Sequence, residues 1–427
     1  MELYTGDIEI PVLETFERAI VHVRVQHPAS FGEGIGIDGK SMVLGRDIDT
    51  PVLVPHRLVA SPVTELSNFK QLSSSYQSNP QRKESIMQTY PIPMVPGPVK
   101  AHPAVLEAYR TDYGSADLEK EYIELYARTE ADLRAVLQTK ASVVIFLGEG
   151  MMALWGALKS CLRPGDRVLA IGTGVFGYGI GDMAAGIGAE VRRVELPYNE
   201  TLSDLTEVRE ATSAFKPKMI TAVHCETPSG TLNPIDGLGR LKQEMGVPLL
   251  YVDAVSSIGG APVLPDEWHI DLCLGGAQKC LSALPDTCFL SVSDKAWEVI
   301  DAVDYVGYDA VKPFKTAVEK HYFPYTPGWQ ATAGLCAGAE AILKEGLEAC
   351  FKRHADVAAR CRKRLVEIGY RLYPAPGAVP APTVTAVAAP TVTRVTAFLS
   401  AMPEKPHNRV ARKRIRLELA RSVLMIL

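Results

Sequence analysis

The chain has 427 residues, of which 47% are hydrophobic and 22% charged, and its formal net charge is −4 at pH 7. These values are typical of a globular protein with a sizeable core, and they exclude the strong basic bias of nucleic-acid and membrane-surface binders. No apolar run reaches the roughly 20 residues that span a bilayer, and the acidic N-terminus lacks the basic-then-apolar order of a secretory signal.

Eight cysteines are scattered along the chain without a CxxC pair or a metal-like cluster. In a chain of this length, such spacing predicts buried thiols in a reducing compartment and neither a disulfide framework nor a metal site. We therefore expect a soluble, intracellular protein without a metal.

Three parts of the chain differ in pattern. Residues 1–86 include the polar stretch SNFKQLSSSYQSNPQRKES, which has too few large apolar side chains to offset its ordering entropy and predicts a linker. In residues 87–340, a long amphipathic helix over 115–139 precedes short apolar runs that alternate with helical segments. That alternation predicts an α/β domain with a mostly parallel sheet. Residues 341–427 predict a smaller C-terminal domain whose basic segment HNRVARKRIRLELARS is more typical of a solvated helix than of a nucleic-acid contact.

Two charged residues follow apolar runs in the predicted sheet. The run PLLYVD ends in Asp253, and DLCLGGAQK ends in Lys279. Ligands of open α/β sheets bind beyond the carboxyl ends of the strands. The two side chains could form a structural ion pair, or they could grip a ligand between them. Pyridoxal phosphate needs both types, because a lysine amine forms an imine with its aldehyde and a carboxylate keeps its ring nitrogen protonated.

Other predicted strand ends allow both a functional and a structural interpretation. The turn at 148–150 opens a helix and could bind a phosphate, or it could be an ordinary Gly-rich turn. Phe176 could stack on a flat cofactor or pack in the core. The hydroxyls of Thr227 and Ser229 could face a ligand or cap a turn.

A dinucleotide-binding site is the main alternative from another class. Gly172, Gly174 and Gly177 form GxGxxG between a predicted strand and a helix, and Glu195 follows at about the expected distance. This pattern is typical of a nicotinamide dehydrogenase, but it leaves the lysine, the aspartate and the ETPSG turn without a role.

Several motifs, in this order, resemble those of the class V aminotransferases, the family that includes alanine–glyoxylate, serine–glyoxylate and pyridoxamine–pyruvate aminotransferases. They are VPGP, LGEGMM, GTGVFG, LPYNE, ETPSGTLNPIDGLG, YVDAVSSIGG, GGAQKCL and FPYTP, between about residues 91 and 369. The resemblance implies the aspartate-aminotransferase-like fold (pyridoxal-phosphate fold type I), with a smaller and apparently incomplete C-terminal α+β domain.

The resemblance also implies residue roles. Lys279 matches the lysine that carries pyridoxal phosphate as a Schiff base, and Asp253 matches the partner of the pyridinium nitrogen. Phe176 matches the aromatic residue that stacks on the ring, and Thr227 a hydroxyl near the phenolic oxygen.

The phosphate site is implied in the same way. Glu149, Gly150 and Met151 match the phosphate-binding turn, and Gln278 matches a further phosphate contact. Thr326 matches a residue that reaches the phosphate of the neighbouring subunit, which implies a homodimer with shared sites.

The implied activity is transamination between L-alanine, L-serine or pyridoxamine and a small 2-oxo acid, pyruvate or glyoxylate, in the cytoplasm or the peroxisome. One departure concerns the C-terminal domain, where we find no counterpart of the Gly-rich segment whose arginine pairs with the substrate carboxylate. A cofactor-binding relative without turnover is therefore an alternative. A cysteine desulfurase would need a cysteine in a mobile loop, whereas Cys361 lies in a predicted helical stretch.

Overall fold

A computed structural model of the chain describes residues 35–37, 40–42, 95–388 and 423–426. The chain divides into two units, Met1–Thr89 and Tyr90–Leu427. In the first unit, the described residues form an antiparallel hairpin of β1 (Ile35–Ile37) and β2 (Lys40–Met42). The predicted linker at 67–85 and the basic segment at 407–422 lie outside the described residues. The division at 86 and 340 stays a prediction.

The second unit is built on a seven-stranded sheet. Its strands in chain order are β3 (Ser142–Leu147), β4 (Arg167–Gly172), β5 (Glu190–Glu195), β6 (Met219–Val223), β9 (Leu249–Asp253), β10 (Leu272–Gly276) and β11 (Thr287–Val292). A small antiparallel hairpin of β7 (Cys225–Glu226) and β8 (Thr231–Leu232) follows β6.

Strand direction in this sheet confirms the predicted, mostly parallel arrangement. The spatial order is β3-β11-β10-β9-β6-β4-β5, and only β11 runs antiparallel to its neighbours. Every residue of β6, β9, β10 and β11 is buried. Strands covered on both faces require continuous apolar runs, which is why the alternating pattern appears only in the edge strand β5.

Helices connect these strands and pack against them. They are α1 (Pro103–Ala108), α2 (Lys120–Leu137), α3 (Gly150–Cys161), α4 (Val175–Gly186), α5 (Thr206–Phe215), α6 (Asp236–Glu244), α7 (Asp294–Val303), α8 (Ala317–Lys320), α9 (Trp329–Glu345) and α10 (Leu347–Glu367), with a 3-10 helix over Lys312–Thr316. The long helix predicted over 115–139 is α2. It ends where Gln138 adopts a left-handed conformation with φ 50°.

The C-terminal part of the unit contains a two-stranded pair, β12 (Thr385–Ala388) and β13 (Val423–Ile426). All eight cysteines are free, and six of them are buried, which confirms the prediction of buried thiols. Cys361 lies within α10, so it is not placed in a loop as a desulfurase would require. No helix in the described part of the chain is both long and apolar enough to cross a membrane.

Candidate active site

Four adjacent parallel strands deliver the candidate residues to one edge of the sheet. Asp253 is the last residue of β9, and Lys279 lies three residues beyond β10. Thr227 follows β6 and the hairpin strand β7, and Phe176 lies four residues beyond β4. Neighbouring strands are about 4.8 Å apart, so the four positions form a row along the carboxyl edge of the sheet. This is the edge at which open α/β sheets bind ligands.

The amine of Lys279 lies in a partly buried position under the loop that precedes α1. Its Nζ donates a hydrogen bond to the carbonyl oxygen of Pro96. Gly97 lies so close that a Cβ there would be 2.7 Å from Nζ, so a side chain at this position would displace the amine. Burial lowers the pKa of Lys279, although the carboxylates of Asp253 and Glu149 oppose that shift. The amine is thus moved toward the neutral, nucleophilic form.

Asp253 is buried beside this amine. Its Oδ1 accepts a hydrogen bond from the backbone N–H of Val255 at 3.0 Å. Burial raises the pKa of Asp253 to about 6, while the hydrogen bond from Val255 and the charge of Lys279 act in the opposite direction. Among the described residues, Asp253 and Lys279 form hydrogen bonds with the backbone and not with each other, which favours ligand binding over a structural ion pair.

The two hydroxyls of the ETPSG turn have different surroundings. Thr227 Oγ1 lies 2.5 Å from the hydroxyl of Ser256, in the loop directly after Asp253. Ser229 Oγ lies 2.7 Å from the hydroxyl of Thr231 and donates to the carbonyl of Glu226 at 3.3 Å. Ser229 therefore closes the β7–β8 hairpin, whereas Thr227 lies at the strand edge beside Asp253.

The predicted phosphate turn begins α3. Glu149 is its exposed N-cap residue, Gly150 is buried at its first position, and the side chain of Met151 is 38% exposed. A Cβ at Gly150 would lie 3.2 Å from the side chain of Val255, so the turn packs on the loop after Asp253.

The side-chain amide of Gln278 has a hydrogen-bonding group that the described residues leave unsatisfied. The residue is only 8% exposed, and its Oε1 is buried without a hydrogen-bond partner among the described residues. Buried polar groups are normally satisfied, and an amide turned over presents N–H groups instead. Gln278 therefore fits a polar ligand at this position.

Thr326 is not brought into the row of site residues. It is exposed, and its hydroxyl donates to Asp117 Oδ2 at 2.9 Å. Its predicted role in the site of a neighbouring subunit stays a prediction.

The GxGxxG segment holds an anion that belongs to the protein itself. The carboxylate of Glu226 accepts hydrogen bonds from the backbone N–H of Gly177 at 2.8 Å and of Phe176 at 3.2 Å, at the start of α4. A Cβ at Gly174 would lie 2.5 Å from the Glu226 carboxyl carbon, and one at Gly177 would lie 2.5 Å from the carbonyl oxygen of Ile171. The Glu226 carboxylate thus occupies the backbone N–H groups that a dinucleotide phosphate would use, so the dehydrogenase interpretation is not supported.

Sequence patterns missed the contribution of Glu226, although it is the first residue of ETPSG. The side chain is fully buried, and burial raises its pKa to about 7, with the charge of Asp253 adding to the shift. A carboxylate three residues beyond a buried strand, in a chain with a Gly-rich helix start, is the signal that could have found it.

The raised pKa of Glu226 predicts a pH-dependent stability. A carboxyl whose pKa rises on folding stabilises the protein fully below its unfolded-state pKa, and this contribution is lost as the pH rises through the folded-state value. The pKa of Glu226 rises from 4.5 to about 7, so wild type loses stability between pH 5 and pH 8, whereas Glu226→Gln cannot ionise. The free energy of unfolding of the variant, relative to that of wild type, should therefore increase by on the order of 2 kcal/mol from pH 5 to pH 8. Urea unfolding of the cofactor-free proteins at both pH values measures this. The same change in free energy of unfolding for both proteins between the two pH values would contradict the raised pKa of Glu226.

Known proteins resemble this chain in sequence and in fold. The sequence profile of the family Aminotransferase class-V matches residues 98–397. Pyridoxamine–pyruvate transaminase of Mesorhizobium japonicum is 32% identical over 300 residues, which cover 69% of this chain and 75% of that one. Alanine–glyoxylate aminotransferase of Oryctolagus cuniculus is 31% identical over 308 residues, covering 68% and 75% of the two chains. The crystal structure of pyridoxamine–pyruvate aminotransferase from Mesorhizobium loti matches with a TM-score of 0.67 and 31% identity, over 70% of this chain and 77% of that one.

The matched region contains the seven-stranded sheet and the residues along its carboxyl edge. It confirms the resemblance drawn from the sequence motifs and the fold that the resemblance implied. The chain belongs to the class V aminotransferases, pyridoxal-phosphate-dependent enzymes of fold type I.

Proposed function

We propose that the protein transfers an amino group between a small amino donor and a small 2-oxo acid, pyruvate or glyoxylate, with pyridoxal phosphate bound to Lys279. The observation that carries this proposal is the juxtaposition of an amine whose pKa is lowered by burial with a buried carboxylate, at the same sheet edge. Relatives named for alanine–glyoxylate and pyridoxamine–pyruvate transfer support the substrate classes.

The residues present fit the cofactor. Asp253 would hold a proton on the ring nitrogen, Phe176 offers an exposed ring face, and Gln278 has an unpartnered amide. When bound, pyridoxal phosphate supplies an electron sink for the substrate carbon. Lys279 Nζ, displaced by the incoming donor, would then take the proton from that carbon and return it during transfer.

Lys279→Ala should abolish transamination, because the variant lacks both the attachment point and the proton-transfer group. The measurement is the visible absorption of the protein with pyridoxal phosphate before and after L-alanine, L-serine or pyridoxamine. Wild type should show a cofactor band that one donor bleaches. Lys344→Ala, in the last turn of α9, is the matched lysine control and should behave as wild type. A wild-type band that no donor changes would contradict turnover.

Pyridoxamine is a second candidate for the amino donor, and one observation favours it. The N-cap of α3, where the resemblance places the phosphate, carries the carboxylate of Glu149. A helix N-terminus favours an anion, but a carboxylate already there repels a phosphate dianion. An unphosphorylated pyridoxamine would avoid this repulsion.

Glu149→Gln removes that charge and keeps the side-chain shape. Because the charge that repels the phosphate is gone, the variant should bind pyridoxal phosphate on the order of tenfold more tightly, while its affinity for pyridoxal stays within about twofold. Titration of the cofactor band with each compound measures both affinities. Equal changes for the two compounds would contradict repulsion between Glu149 and the phosphate.

A homodimer is supported by an exposed apolar surface beside Thr326. Leu118 is 85% exposed and follows Asp117, the hydrogen-bond partner of Thr326. Tyr308 is 67% exposed and stacks on Tyr325, which precedes Thr326, at a centroid distance of 4.7 Å. Large apolar side chains left exposed around one position are typical of protein–protein interfaces.

Light scattering should therefore give twice the chain mass of 46.4 kDa. Leu118→Glu combined with Tyr308→Glu should shift the protein to the monomer, because two charges would enter the interface. Val357→Glu, at an exposed position on α10, is the control and should stay dimeric. A wild-type monomer would refute the shared site.

A further inference from the structure

Glu226 is held rigidly at the end of the sheet by its own backbone. It lies opposite Thr231 in the β7–β8 hairpin, and its carbonyl oxygen accepts a hydrogen bond from Gly230 N–H at 2.9 Å. The side chain is fully buried. The tight turn fixes the backbone from which this side chain extends, and burial leaves the carboxylate without contact to solvent.

The carboxylate caps a helix that lacks a cap of its own. The N-cap residue of α4 is Gly174, which has no side chain to accept the first N–H groups. A helix leaves its first four N–H groups without intrahelical partners, and an N-cap side chain normally accepts those of the second or third position. Here Glu226 does so from another part of the chain, with Oε2 on Phe176 N–H and Oε1 on Gly177 N–H. Each oxygen holds one donor.

This arrangement is energetically expensive for the fold. Burial raises the pKa of Glu226 to about 7, so the ionised form is disfavoured relative to a carboxyl in water. The space for it requires a glycine at 174, where φ is 177° and any residue could adopt the backbone. A neutral cap would avoid the penalty. Buried carboxyls with shifted pKa values cluster at functional sites. The helical residue that donates its N–H to Glu226 Oε2 is Phe176, the predicted ring-stacking residue.

We propose that Glu226 is a positioning residue for transamination, whose carboxylate fixes the first turn of α4 and thereby the Phe176 ring over the cofactor. The inference rests on the proposed function, because it takes Phe176 as the ring-stacking residue. The Phe176 ring is 38% exposed, and the N-cap residue of its helix, Gly174, has no side chain of its own. The orientation of the ring depends on the backbone that Glu226 holds through the hydrogen bonds from Phe176 N–H and Gly177 N–H, a pair of contacts that we call the clamp. Phe176 and Glu226 are 50 residues apart in sequence, so the clamp joins the ends of β4 and β6.

Two variants release the clamp by different routes. In Glu226→Gln, the amide keeps one acceptor but turns its NH₂ toward the other backbone N–H, so two donors face each other. In Gly174→Ala, the carboxylate is intact, but the new Cβ would lie 2.5 Å from its carbon and must displace it. Glu130→Gln is the matched control. Glu130 is a partly buried carboxylate on α2 that accepts from Val143 N–H at 3.4 Å, outside the site.

The first readout needs no cofactor. Hydrogen exchange of the cofactor-free proteins, followed by mass spectrometry of peptides covering 174–180, should be on the order of tenfold faster in both variants than in wild type. The control should show wild-type exchange in this segment. Unchanged exchange in Glu226→Gln and Gly174→Ala would overturn the clamp.

The second readout is the loaded enzyme. The visible circular dichroism of the bound cofactor should fall by more than half in both variants, because the ring loses its fixed face. The kcat should fall on the order of tenfold with KM changed less than about twofold, since positioning acts on the reacting geometry. Faster exchange with unchanged dichroism and kcat would mean a structural cap alone and would overturn the proposal.

Failure of the proposed function has a different signature. Wild type itself would then show no cofactor band, although the exchange difference between wild type and variants would persist. That outcome refutes the positioning role together with the transamination on which it rests, and leaves only the helix cap.

Discussion

Six of the seven strands in the central sheet run in the same direction, and this constraint places everything else. Because parallel strands β4, β6, β9 and β10 are neighbours, the turns that follow them lie side by side although they are far apart in sequence. Phe176, Glu226, Asp253 and Lys279 lie at or shortly beyond the carboxyl ends of these strands. The strands are buried on both faces, so the edge at their carboxyl ends is the place where polar groups meet a ligand.

The site concentrates groups that the fold alone would disfavour. Asp253 and Glu226 are buried carboxyls with raised pKa values, and the Lys279 amine has a lowered one. Each shift has burial as its largest cause, so each group is displaced toward its neutral form in the absence of a ligand. A cationic ring nitrogen beside Asp253 would reverse that displacement and couple cofactor binding to the charge state of the site.

Sequence patterns could locate Asp253 and Lys279 because each follows an apolar run, and the end of a buried strand is a local feature of the chain. They could not assign the glycines of GxGxxG, since the same spacing serves a bound phosphate or a protein carboxylate. The decision depends on a hydrogen bond between Gly177 and Glu226, 49 residues apart, which no local pattern contains. Thr326 shows a further limit, because its predicted role requires a second chain.

The attachment of the cofactor to Lys279, as proposed, can be measured by reductive trapping. The protein is incubated with pyridoxal phosphate, reduced with borohydride, digested and mapped by mass spectrometry. We predict a single stable adduct on the peptide that contains Lys279, and none in Lys279→Ala. An adduct on another lysine of the wild-type chain, or one that persists in the variant, would contradict it.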